Sequence, residues 1–107
     1  MMKNILSELQ IQSELVEELA GKAESGEAYL EELKSYLPVL NQTIVQLFEI
    51  IREPRNNIDI SQDFVLQVLN DIIYGIEKED SVCLADVLRY GLVEVFNYIA
   101  IELQGEE

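Results

Sequence analysis

The sequence predicts an all-α protein, an up-down-up-down antiparallel four-helix bundle. Apolar residues make up 49% of the 107 residues, and they recur almost from end to end at the three- and four-residue spacing that is typical of helices. The four periodic segments are joined by short connections, which force neighbouring helices to run antiparallel. A chain of this length forms one core. We therefore expect a single helical-bundle domain over residues 1–107, with helices at about 2–24, 27–51, 60–78 and 82–103.

The first helix is predicted from an apolar stripe that Gln12 interrupts. The stripe consists of Ile5, Leu9, Val16, Leu19 and Ala23. Ser25 and Gly26 follow it, and glycine can adopt the left-handed conformation that ends many helices. The first helix is therefore expected to end close to Glu24.

The second helix has the clearest periodicity in the chain. Its seam consists of Leu30, Leu33, Leu37, Leu40, Ile44, Leu47 and Ile51. Pro38 lies inside this seam, where proline removes one backbone hydrogen bond and disfavours the helical conformation of the preceding residue. Because the seam keeps its phase on both sides of Pro38, we expect a kink there and not a break.

The third and fourth helices follow a loop at 53–57 and a tight connection at 79–81. Asp59 or Ser61 can cap the third helix, because both side chains accept hydrogen bonds from the first turn of a helix. The main apolar stripes of the two helices are Val65, Leu69, Ile72 and Ile76, and then Ala85, Leu88, Leu92, Val95 and Ile99.

Two glycines inside the last two helices are predicted to permit close helix approach. In an antiparallel hairpin centred on Asp80, Gly75 faces Leu84 and Gly91 faces Val68. A glycine inside a helix costs about 1 kcal/mol relative to alanine, so we expect each one to have a packing role.

The charge balance excludes several kinds of partner. The chain has 21 acidic and 7 basic residues, and its net charge is −14. Nucleic-acid binding needs clustered Lys and Arg, and anionic membranes repel an acidic surface, so we expect neither partner. No apolar run approaches the roughly 20 residues of a membrane span. The single cysteine, Cys83, and an N-terminus that reaches an acid too soon for a signal peptide indicate a cytoplasmic protein.

The usual catalytic side chains are missing from the sequence. There is no histidine, so a di-metal site built from Glu-x-x-His pairs is excluded, and Cys83 lacks the imidazole base that activates a nucleophilic thiol. We expect Cys83 to be a small buried hydrophobic residue. We predict no catalytic residue, no metal site and no cofactor. A metal-dependent enzyme that uses carboxylates alone is the remaining enzymatic alternative.

Two aspartates lie among apolar residues on either side of the last helix connection. A half-buried carboxylate at Asp71 or Asp86 could fix the register of the two helices. Its partner would be Tyr74, Tyr90 or Arg89. The alternative is that both aspartates are ordinary charges on the outer faces of their helices.

An interaction surface is predicted beside the seams of the first two helices. Its candidate residues are Ile11, Leu15, Tyr29 and Tyr36, which lie off the main apolar stripes. An apolar patch that remains uncovered on two amphipathic helices marks a protein contact. The alternative is that these residues widen the core.

The C-terminal third of the chain resembles a segment of a known group of proteins. The segment is residues 71–80, DIIYGIEKED, followed by residues 84–92, LADVLRYGL. It is similar to a segment of small, uncharacterised, acidic all-helical proteins of Gram-positive bacteria, in which a charged turn precedes Leu-Ala-Asp-x-Leu-x-Tyr. That family has no assigned activity. In size and acidity the chain also resembles the flagellar and secretion export chaperones, which implies a helical bundle that holds another protein.

Together these features predict a non-enzymatic protein–protein interaction module with an apolar helical surface and an acidic rim. It would serve as a chaperone, an adaptor or a self-assembling subunit. Its partner would be a helical segment of another protein, or a second copy in a homodimer. The alternative is an acidic decoy or immunity-type inhibitor that binds a basic protein. Salt separates the two, because binding through carboxylates weakens steeply as salt rises.

Overall fold

The computed structural model describes the backbone of residues 2–105 and the side chains of residues 5–105. Within that range the regular structure is entirely helical, and the predicted all-α class is confirmed. The elements are α1 (Met2–Ser25), α2 (Leu30–Arg52), a 3₁₀ turn (Pro54–Asn56), α3 (Gln62–Lys78), α4 (Ser81–Val87) and α5 (Val93–Gly105). None of the described helices is long and apolar enough to cross a bilayer.

A π-helical turn, Leu88–Leu92, joins α4 to α5. The backbone stays in the right-handed helical region at both ends of this turn, so α4, the π turn and α5 form one continuous rod, the C-terminal rod. Gly91, Leu92 and Val93 are buried in succession. The π turn packs against both α1 and α3, so residues on more than one side of it are buried. The sequence predicted one helix over about residues 82–103 and no π turn within it.

The helix ends show which capping residues the chain uses. Ser61, and not Asp59, caps α3, because its Oγ accepts a hydrogen bond of 3.1 Å from the backbone N–H of Phe64. Asp80 caps α4 in the same way, through a 3.1 Å bond from the N–H of Cys83 to Oδ1. Gly26, with φ of 82°, follows α1, and α2 begins at Leu30, three residues later than predicted.

One hydrophobic core contains side chains from α1, α2, α3 and the C-terminal rod. Helix α1 lies against α4, the π turn and α5, whereas α3 packs on α4 and the π turn. The largest fully buried side chains are Leu9, Leu19, Leu33, Leu40, Leu47, Ile72, Leu84, Leu88, Leu92, Phe96, Ile99 and Leu103. The C-terminal rod is therefore the element against which both α1 and α3 are positioned.

The predicted glycine contacts between α3 and the C-terminal rod are confirmed. A Cβ atom added to Gly75 would lie 2.8 Å from the side chain of Leu84, and one added to Gly91 would lie 3.3 Å from that of Val68. The first distance is shorter than any normal carbon–carbon contact. The two glycines thus allow α3 and the rod to pack backbone against side chain in an antiparallel hairpin.

Helix α2 continues through Pro38 without a break. This agrees with the expectation that the proline does not divide the helix, while the kink itself stays a prediction. The up-down-up-down order of the whole bundle also stays a prediction.

Candidate functional site

Tyr36 lies in the interior and not on the predicted interaction patch. Its side chain is 5% exposed, and its hydroxyl donates a 2.6 Å hydrogen bond to Oε1 of Gln12 on α1. Nε2 of Gln12 donates to Oγ1 of Thr43 at 2.8 Å, and the hydroxyl of Thr43 donates to the carbonyl oxygen of Val39 at 3.0 Å. Each of the three side chains in this hydrogen-bonded network has a partner, as a polar group inside a protein requires. The interruption of the first apolar stripe at Gln12 was the sequence signal for this network.

The other residues of the predicted patch do not form a continuous surface. Leu15 and Tyr29 are half-buried and pack against the core, so they widen it. Ile11 is 59% exposed. With Tyr36 inside, Ile11 is the one prominent apolar residue that this set presents to solvent, and a single exposed apolar residue is an ordinary surface feature.

Among the described residues, the four register-fixing candidates form no hydrogen bond across the hairpin of α3 and the C-terminal rod. Asp71 is half-buried, and its Oδ1 accepts a 2.8 Å bond from Gln67 of the same helix. Asp86, Tyr74 and Tyr90 are exposed. The contacts of Gly75 with Leu84 and of Gly91 with Val68 are apolar, and a polar pair that fixes the register stays a prediction.

Arg89 joins the C-terminal rod to α1 and not to an aspartate of the hairpin. Its Nε lies 3.3 Å from Oε2 of Glu17, and its Nη1 lies 2.6 Å from Oε1 of Glu24. Both glutamates belong to α1. This guanidinium is therefore already paired on the side of the rod that faces α1.

A groove of about 640 Å³ lies between α3 and the first turns of the C-terminal rod. Its lining residues are Phe64, Gln67, Val68, Asp71, Asp80, Val82, Cys83, Asp86, Val87, Tyr90 and Gly91, and we call it the α3–α4 groove. Phe64, Val82 and Tyr90 are 49%, 72% and 66% exposed. Three large apolar side chains around this groove are thus exposed to solvent.

Carboxylates border these apolar side chains. Asp71, Asp80 and Asp86 line the groove, and no Lys or Arg is among the described residues that do so. The groove thus combines an apolar surface with an acidic border. It lies on α3 and α4, however, and not on the first two helices.

The thiol of Cys83 lines the groove and is half-buried, in contrast to the full burial that was expected. Burial raises the pKa of Cys83, and the negative charges of Asp80, Asp71 and Asp86 raise it further. The thiol therefore stays protonated at neutral pH, which makes it a weak nucleophile. Among the described residues, no group of three His, Cys, Asp or Glu side chains could hold a metal ion. The groove can therefore contact a ligand through its apolar side chains and its negative charges.

A second line of residues on each helix was the sequence signal for the groove. Phe64, Gln67 and Asp71 follow one another at helical spacing on α3, beside its main stripe. Val82, Asp86 and Tyr90 do the same on the C-terminal rod. Asp71, Asp86 and Tyr90 were among the residues that the sequence indicated, whereas Phe64 and Val82 were not.

In comparisons with known proteins, no protein-family model, no curated protein and no solved structure matches this chain.

Proposed function

We propose that this protein is a non-enzymatic protein-binding module and that the α3–α4 groove binds a segment of another protein. The observation that carries the proposal is the exposure of Phe64, Val82 and Tyr90 in one groove bordered by aspartates. Apolar surface that is contiguous and rimmed by polar residues is typical of protein contacts. Chaperone and adaptor are the roles that such a surface supports.

Charge favours a different protein as the partner over a second copy of this chain. The net charge is −14, and three aspartates line the groove itself. A homodimer formed through this groove would place like charges opposite each other, which is unfavourable at an interface. The same repulsion acts against nucleic acids and anionic membranes.

The hairpin of α3 and the C-terminal rod provides a firm support for the groove. Close packing at Gly75 and Gly91 holds the two walls, and side chains on a rigid support lose less entropy on binding.

The proposal includes the finer architecture that the sequence predicted, an up-down-up-down bundle with a kink at Pro38. The proposed setting is the cytoplasm, because the chain has one cysteine and so no internal disulfide.

The competing function is an acidic decoy or immunity-type inhibitor that neutralises a basic protein. The exposed acids of α1 and α2 favour it, among them Glu14, Glu18, Glu31 and Glu32. Such binding needs carboxylates and no apolar contact. A complex that dissociates as salt rises, and that tolerates changes at Phe64 or Tyr90, would support the decoy over the groove.

Site-specific cross-linking in cells tests the proposed function. A photoactivatable amino acid replaces Val82 in the groove, and in a matched control it replaces Val45, which is 59% exposed on α2. We expect one discrete protein adduct from position 82, lost when Tyr90→Asp is added, and no such adduct from position 45. Equal adducts from both positions, or adducts that survive Tyr90→Asp, would contradict binding in the groove.

A further inference from the structure

We infer that the segment bound in the α3–α4 groove is a cationic amphipathic helix, with apolar side chains against Phe64, Val82 and Tyr90 and with Lys or Arg opposite Asp71, Asp80 and Asp86. This inference rests on the proposed function and adds the conformation and the charge of the partner segment.

The spacing of the groove residues matches a helix. Val82, Asp86 and Tyr90 are four residues apart along the C-terminal rod, so they extend over about 12 Å, or two helical turns. Helices that bind in grooves present anchors at positions i, i+3 or i+4, and i+7, which repeat over the same length. The α3–α4 groove is lined by both α3 and the C-terminal rod, so a third helix in it would contact both.

The electrostatics of the groove select a positive segment. Its three aspartates are accompanied by no basic lining residue within the described part of the chain. The nearest cations in sequence are engaged elsewhere. Arg89 pairs with Glu17 and Glu24, and Nζ of Lys78 lies over the ring of Tyr74, 5.7 Å from its centre. The negative potential of the groove is therefore free to attract Lys or Arg of a partner.

Titration with designed peptides, monitored by the backbone amide signals in NMR, tests the inference. Three peptides share the same leucine positions and a length of about 18 residues, enough for a helix. Their polar positions are Lys, Gln or Glu. We expect the Lys peptide to shift the amides of residues 64–71 and 82–91 and to bind about tenfold more tightly at low salt than the Gln peptide. We expect the Glu peptide not to bind.

The possible results separate the two proposals. If the Gln peptide shifts the groove amides with the same affinity as the Lys peptide, the inference about charge is wrong and the protein-binding groove stands. If neither peptide shifts the groove amides, both proposals are wrong. If the Lys peptide shifts mainly α1 and α2, the acidic decoy is favoured and the groove is not the site.

Charge-removal variants locate the attraction. Asp80→Asn with Asp86→Asn neutralises two groove acids, and asparagine at position 80 keeps an acceptor for the α4 cap. Glu14→Gln with Glu49→Gln is the control, because it removes the same charge from exposed positions on α1 and α2. We expect the groove pair to lower the affinity for the Lys peptide about 3- to 10-fold at low salt. We expect the control pair to lower it less than about 2-fold. Equal weakening would show a diffuse attraction and overturn the inference.

Discussion

Tyr36 places a phenolic hydroxyl inside the contact between α1 and α2. Gln12 accepts its hydrogen bond at 2.6 Å and in turn donates to Thr43. A buried acceptor that loses its donor keeps the whole cost of its desolvation, so such a network depends on each member. The polar network therefore positions α2 on α1, although it interrupts the apolar stripe.

Replacement of Tyr36 by phenylalanine removes this hydroxyl and little else. We expect Tyr36→Phe to lower the free energy of unfolding by about 1–3 kcal/mol, because Oε1 of Gln12 is left buried without a donor. Urea denaturation measures the change. Tyr74→Phe is the control, since Tyr74 is 57% exposed, and it should stay within about 0.5 kcal/mol of the wild type. Equal effects of the two substitutions would contradict the network.

The burial of Tyr36 also predicts a dependence of stability on alkaline pH. Burial raises the pKa of Tyr36, and the negative charge of Glu8 raises it further. The folded protein then retains the phenolic proton at a pH where the unfolded chain has lost it. This contribution to stability is complete below about pH 10 and is lost as the pH rises further. The stability of the wild type should fall more steeply above pH 10 than that of Tyr36→Phe, as measured by urea denaturation across that range. Parallel curves would contradict it.

At the scale of the helices, the contact between α3 and the C-terminal rod depends on glycine. We expect Gly75→Ala to destabilise the protein by up to about 2 kcal/mol. Overpacking against Leu84, which is fully buried, costs about 1–3 kcal/mol and offsets or exceeds the gain of about 1 kcal/mol in helix propensity.

Gly21→Ala is the matched control for this substitution. Gly21 lies in α1, and an added Cβ there has no neighbour within 4 Å. We expect it to stabilise the protein by up to about 1 kcal/mol. Thermal unfolding of both variants measures the two effects, and a stabilised Gly75→Ala variant would contradict the close contact.

The helices and the hairpin register could be predicted because they depend on local spacing. The stripe of each helix and the pairing of Gly75 with Leu84 follow from counting residues along the chain. The π turn could not be predicted, because it depends on how the rod meets α1 and α3 at once. The candidate site lies on other helices than predicted for a similar reason. Whether Tyr36 or Phe64 faces solvent is decided by the packing of neighbouring helices. The sequence alone could indicate an apolar surface with acidic neighbours, but not which helices would carry it.

For the molecule as a whole, the proposed cationic partner and the acidic groove predict that two copies of this chain do not associate through the groove. We expect light scattering on a sizing column to give the mass of one chain, 12.3 kDa, at low salt and at high salt. Repulsion between chains of charge −14 opposes association at low salt. A stable dimer at both salt levels would favour the self-assembling subunit and contradict a groove that is free for a different protein.

The most direct test of the α3–α4 groove compares two substitutions in the binding of the Lys peptide. Tyr90→Asp and Val45→Asp each add one negative charge at an exposed apolar position, so any general attraction for the peptide increases equally in both. We expect Tyr90→Asp to raise the Kd at least about tenfold, because a large aromatic contact is lost, and Val45→Asp to change it less than about twofold. Equal Kd values for the two variants would contradict binding in the groove.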